Sequence, residues 1–145
     1  SEEERSIAEK DFANALAEDY AVKAGDINLL AKRVDSLPTG LLVAMMIHKT
    51  TWGTNKGLVE KNNPFGIKDI KGDYKSYNSI DNGIRAFLFL VNTSPDYSSM
   101  RIERDKIKSS GSNIETISLI DFFADGEERE SLLNLIAKER LYYLD

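Results

Sequence analysis

The sequence predicts a mainly α chain with one small β-hairpin, organised as a single domain over residues 1–145. Three observations predict it. Apolar residues recur at helical spacing through most of the chain, cap residues stand at the ends of those runs, and only residues 67–77 alternate in strand fashion. Three prolines and nine scattered glycines, with no repeat or low-complexity stretch, leave no linker to divide the chain. A chain of 145 residues is long enough to bury one core.

Ser1 and Glu4 form a possible capping box, and Ile7, Phe12, Leu16 and Tyr20 then recur near helical spacing. Gly25-Asp26 ends that helix and caps a short one through Leu29, Leu30 and Val34. Pro38 marks the next helix start, where its missing N–H costs nothing. The run 41–47 is apolar on all sides, which predicts the buried central helix. A short turn or helix is expected at 54–60, and Lys71-Gly72-Asp73 is the expected hairpin turn. Ser79 caps an amphipathic helix through Ile80, Ile84, Phe87, Leu88 and Val91, and a turn at 92–96 leads into a charged helix at 97–108. Ser112 with Glu115 signals a helix ending near Phe123, and Gly126 separates it from a last helix over 127–142.

Bulk composition excludes several classes. With 41% hydrophobic and 30% charged residues, the chain reads as an ordinary globular domain. A net charge of -5 argues against nucleic acid or an anionic membrane surface as partner. The absence of cysteine and a single histidine leave no expected metal site, and no cofactor is expected. No apolar run is long enough to span a bilayer, and the acidic N-terminal residues lack a signal-peptide pattern.

The most informative stretch is residues 37–68. The apolar run leads into His48-Lys49-Thr50-Thr51-Trp52-Gly53, followed by Asn62-Asn63-Pro64-Phe65-Gly66. This layout resembles the glucosaminidase (Bax-like) family of peptidoglycan hydrolases, whose helix carries Ala-Gln, then Glu-Ser-Gly/Ala-Trp-Gly-Thr-Ser, then Asn-Asn-x-Phe-Gly. The segment Leu29 to Pro38 is similar to the family's Leu-Leu-x-Arg-Val-Asp-x-Ile-Pro lead-in, and Asn92-Thr93-Ser94-Pro95-Asp96-Tyr97 with Arg101 is similar to its Asn-Thr-x-x-Ala-Tyr-x-x-x-Arg segment. The run 126–145 resembles its closing helix. The resemblance implies a lysozyme-like α fold, cleavage of β-1,4 bonds after N-acetylglucosamine, and a place in the cell envelope, the bacterial periplasm.

Carried across residue by residue, the catalytic glutamate falls on Lys49. Other departures cluster with it: Met45 at the helix glutamine, His48 at a position usually small, apolar or Asn, Leu90 at an asparagine, and Phe122-Phe123-Ala124-Asp125-Gly126 at a Tyr-Ser-Glu-Arg-Gly motif. Glycosidic cleavage needs a proton donor at the leaving oxygen, usually a carboxylic acid. An ammonium holds its proton too firmly near neutrality and repels the developing oxocarbenium charge. Losing the general acid alone costs ~10²–10⁴-fold. At the end of a buried helix, Lys49 and His48 are also simply favoured by the helix dipole.

The resemblance therefore implies a degenerate family member that binds peptidoglycan glycan, or an envelope protein, in the old groove. An active endo-β-N-acetylglucosaminidase is the alternative, with Glu60 or Asp69 as displaced carboxylate; a protein-interaction module regulating an active hydrolase is another. Glu60 is otherwise a solvated helix-face residue, and Asp69 and Asp73 are otherwise turn formers. The candidate groove comprises His48, Trp52, Asn62, Asn63, Tyr77 and Tyr97. Trp52 is either a sugar platform or a core corner, the asparagines either ligand contacts or a turn, and the tyrosines either cleft or core. Phe122-Phe123 and Tyr142-Tyr143 suit core packing or a partner surface.

Overall fold

The computed structural model describes residues 3–4 and 37–145. Within these, α1 (Thr39–Thr50), α2 (Lys56–Glu60), α3 (Ile80–Thr93), α4 (Ser98–Ser109) and α5 (Gly126–Lys138) are joined by loops and three 3₁₀ turns at Pro95–Tyr97, Ile120–Phe122 and Leu141–Leu144. The architecture is mainly α, as the apolar spacing predicts. The expectations for 7–34, including the first capping box, the two early helices and most of the lead-in segment, lie outside the described residues.

Helix α1 is the hub. Pro38 stands at its N-cap, and the Leu42 amide donates to the Pro38 carbonyl at 3.1 Å. Leu41, Leu42 and Ala44 are buried, while Met45, Met46 and Ile47 are only half-buried as the helix runs out toward its C-terminus. α1 packs mainly on α5 and on the 3₁₀ turn Leu141–Leu144. The core joins Leu41 and Ala44 to Phe87 and Val91 of α3, Met100 of α4, Leu119, and Leu132 and Ile136 of α5.

Side-chain oxygens cap two of these helices, at Ser79 as the sequence predicts and at Asn55, which the sequence reading did not single out. Asn55 accepts from the Leu58 amide, and Ser79 accepts from the Asn82 amide at 3.1 Å. Along α3, Gly83, Phe87 and Val91 fall one turn apart on the buried face. Gly83 is required there, because a Cβ would strike the Asn62 carbonyl. Arg101 of α4 donates to the Val91 and Ser94 carbonyls at 2.9 and 2.7 Å, serving open acceptors at the end of α3. Arg104 donates to the Asn92 side chain at 2.7 Å, both groups buried.

Three expectations are corrected. The hairpin at 67–77 reduces to one antiparallel bridge, Lys68 with Tyr74. Side chains take over what a ladder would have supplied: Asn63 Nδ2 donates to the Ile67 and Lys75 carbonyls, and Asp69 Oδ1 accepts from the Lys71 and Asp73 amides. The helix expected from Ser112 to Phe123 is a loop followed by tight turns, with an i to i−3 pattern from Ser118 to Phe123. Ile114, Thr116 and Ile117 are β-branched, and Ser118 Oγ accepts the Glu115 amide that a helix would need. The last helix ends at Lys138, before the expected 142, because Arg140 turns left-handed at φ 53° and sends Leu141 back into the core.

Candidate functional site

The site begins at the C-terminus of α1. The Trp52 amide donates to the Ile47 carbonyl at 2.9 Å and the Thr51 amide to the His48 carbonyl at 3.3 Å, the paired closure of a Schellman turn. Thr51, Trp52 and Gly53 follow one another in left-handed conformation, at φ 50°, 57° and 78°. Thr50 Oγ1 donates to the Met46 carbonyl and accepts from the Gly53 amide, pinning the corner to the helix. This abrupt stop leaves His48 and Lys49 on the last turn of α1 and throws Trp52 outward, 62% exposed.

The Lys49 side chain runs across Gly66, so closely that a Cβ on Gly66 would strike Lys49 Cε. Gly66 sits at φ 67°, which favours glycine there, while the contact alone would be met by a shift of the flexible Lys49 stem. Beside Lys49 a depression of about 170 Å³ is lined by Met45, Phe65, Phe87, Tyr97, Phe123 and Leu132. Its floor is a run of rings: Phe65 stacks on Phe87 at 4.0 Å, Phe87 meets Phe123 at 6.2 Å, and Phe123 meets Tyr97 at 5.6 Å. Burial, and then the charge of Asp96, push the Tyr97 hydroxyl above its ordinary value. A second, more open depression of about 480 Å³ takes in Asn55, Tyr74, Glu127 and Ser131. His48, Lys49 and Glu128 line both and form the ridge between them. Across that ridge His48 Nε2 and Glu128 Oε1 stand 3.8 Å apart, an ion pair when the imidazole is protonated.

Of the residues singled out in the sequence, His48, Lys49 and Tyr97 come together with Met45 and Phe123. The others do not join them. Asn63 is fully buried, its amide used by Ile67 and Lys75, and Asn62 Nδ2 donates to the Tyr77 carbonyl at 2.9 Å. Both asparagines thus build the loop and leave no amide turned to the cleft. Tyr77 lines a separate depression with Asn82 and Arg85, and burial raises its hydroxyl pKa. Glu60 is exposed on α2 outside both cleft depressions, and the Asp69 carboxylate is engaged by its own turn. Trp52 is no core corner; it lines neither depression.

The sequence reasoning missed Glu127, Glu128 and Tyr74. The available signal was the acidic first turn of α5, which reads as a favourable helix N-terminus and gives no hint that it faces α1. Chemically, the end of α1 offers an ammonium and an imidazole, and the Glu127 and Glu128 carboxylates of α5 line the same open depression. Among the described residues no group of His, Asp and Glu is arranged to hold a metal ion. No described helix is long and apolar enough to cross a membrane.

Comparison with known proteins gives the family of the chain. Residues 24–118 match the glucosaminidase family, described as mannosyl-glycoprotein endo-beta-N-acetylglucosaminidase. The chain belongs to the glucosaminidase family. Protein bax of Escherichia coli (strain K12) is 30% identical over 131 residues, covering 79% of this chain and 48% of that relative. The chain therefore spans about half the length of the curated relative it matches. No solved structure matches it.

Proposed function

We propose that this glucosaminidase-family chain is a cell-envelope protein, periplasmic in a bacterium, that has lost hydrolysis and holds peptidoglycan in the former substrate groove. The observation that carries this reading is Lys49 at the position of the family's catalytic glutamate, on the last turn of α1 and beside an open cleft. An ammonium there donates no proton to a glycosidic oxygen and opposes the positive charge of the transition state. The displaced-carboxylate alternative loses support, since Glu60 lines neither cleft depression and Asp69 is spent on its turn. Incubation of the purified protein with murein sacculi is expected to release no reducing ends. Release by the unmodified protein would overturn the reading. Lys49→Glu is expected to restore little activity, because Met45, His48 and Phe123 also reshape the cleft.

A specific observation supports a second reading, a protein-binding module that regulates an active hydrolase. Ile117, Tyr142, Tyr143 and Leu144 are exposed, and a largely apolar depression of about 980 Å³ lies beside Ile117 and Tyr142. Replacement of Tyr143 by Ser, followed by capture of envelope proteins, tests that face; undiminished capture of every partner counts against it.

A further inference from the structure

Resting on the groove reading above, we infer that the cleft recognises the peptide part of its ligand: a short peptide bearing a free carboxylate and a free amine, rather than a neutral sugar chain. The argument starts from charge. The chain as a whole carries -5, yet residues 48–75 hold Lys49, Lys56, Lys61, Lys68, Lys71 and Lys75 against Glu60, Asp69 and Asp73. The opposite wall is acidic. It carries Glu127 and Glu128, whereas the neighbouring Arg129 lies outside the open depression and its guanidinium is taken up by Asp121 at 2.5 Å and Glu130 at 3.5 Å. Glu127 and Glu128 face His48 and Lys49 across the open depression.

These charges are not consumed within the described structure. The Lys49 ammonium has no carboxylate partner, Glu127 has no cationic one, and Glu128 has only His48 at 3.8 Å. A neutral glycan laid over this ridge would strip water from an ammonium and two carboxylates and return only hydroxyl contacts. Desolvating charges without opposite charges is unfavourable. A ligand with its own carboxylate and amine reverses the sign: the carboxylate meets Lys49, the amine meets Glu127 and Glu128, and the pattern fixes its direction. The small aromatic-floored depression beside the ridge offers room for an apolar side chain of the same peptide. Peptide stems of peptidoglycan have this chemistry, whereas oligomers of N-acetylglucosamine do not.

Titration calorimetry at low salt separates the two. The probes are the tripeptide Ala-γ-Glu-Lys with free ends and the neutral tetramer of N-acetylglucosamine. The tripeptide is expected to bind saturably and the tetramer not. Lys49→Gln and Glu128→Gln should each weaken tripeptide binding by about fivefold, the scale of a half-exposed ion pair. Acetylation of the tripeptide's amines should weaken binding to the unmodified protein and abolish the effect of Glu128→Gln while leaving that of Lys49→Gln. Both substituted residues are exposed, so circular dichroism should report unchanged folding. Tetramer binding without tripeptide binding would overturn this inference and leave the groove reading standing. Binding of neither would remove both, and tripeptide binding indifferent to Lys49→Gln and Glu128→Gln would overturn the charge assignment.

Discussion

The carboxylate of Asp145 accepts a hydrogen bond from the amide of Gly40 at 3.1 Å, across 105 positions of sequence. Its other oxygen accepts from the Thr116 hydroxyl, which is itself buried. The helix that ends in Lys49 is thus capped at its start by a distant side chain, since Pro38 has none to offer. The approach needs glycine at position 40, where a Cβ would meet the Leu141 carbonyl and the Thr116 hydroxyl. One contact fixes α1 against both the loop before Leu119 and the turn after α5.

Asp145→Ala should therefore lower stability by about 1–2 kcal/mol, the scale of losing a charged cap. Thr116→Val should cost less in the Asp145→Ala background than in the unmodified protein. Urea melts of the four proteins in the cycle give the coupling; additive losses would show that the two side chains do not act together.

Thr51→Gly should raise stability. Thr51 is exposed, left-handed at φ 50°, and occupies the turn position where glycine fits best. Relief of a left-handed β-branched residue, less the added freedom of the unfolded chain, leaves about 0.5–1 kcal/mol in favour of glycine. The midpoint of urea unfolding should move upward with an unchanged slope.

Asn63→Ala should be among the most damaging single changes. Three bonds of 2.9 Å join its side chain to the Ile67 amide, the Ile67 carbonyl and the Lys75 carbonyl. Removing them in the interior costs about 3 kcal/mol or more. Hydrogen exchange should accelerate at Ile67, whose amide loses its acceptor, before it accelerates in α5. Asn63→Asp should not rescue, because a carboxylate cannot donate to two carbonyls.

Tyr97→Phe isolates an alkaline titration. Burial, then Asp96, hold the hydroxyl above its ordinary 10.0, so the folded state keeps the proton longer than the unfolded state. The stabilisation linked to this proton is fully present below about pH 10 and is lost as pH rises through the folded value. The stability difference between the unmodified protein and the variant should stay level up to that pH and then fall. A difference that stays level throughout would exclude Tyr97 as the titrating group.

The local signals in the sequence were reliable where the structure is local. Pro38 and Ser79 begin helices where the sequence marks them, because a fixed φ and a side-chain cap both act within the first turn, and α3 buries the face its apolar spacing marks. The Asn-Asn-x-Phe-Gly loop and the Trp-Gly corner likewise stand at the end of α1. Where a side chain competed with the backbone's local preference, the sequence misled. Asn63 and Asp69 displaced most of the expected ladder, and Thr116 gave up a helical turn for a bond to Asp145.

By itself the sequence determined most of the described helices and the family, because periodicity, caps and motif spacing are short-range properties. Only the tertiary structure decided what surrounds Lys49: that Gly66 carries its stem, that Asn62, Asn63 and Trp52 turn away, and that Glu127 and Glu128 face it from some eighty residues on. Opposing charges on two helices come to line one cleft through packing, and packing between distant segments leaves no periodic trace in the chain.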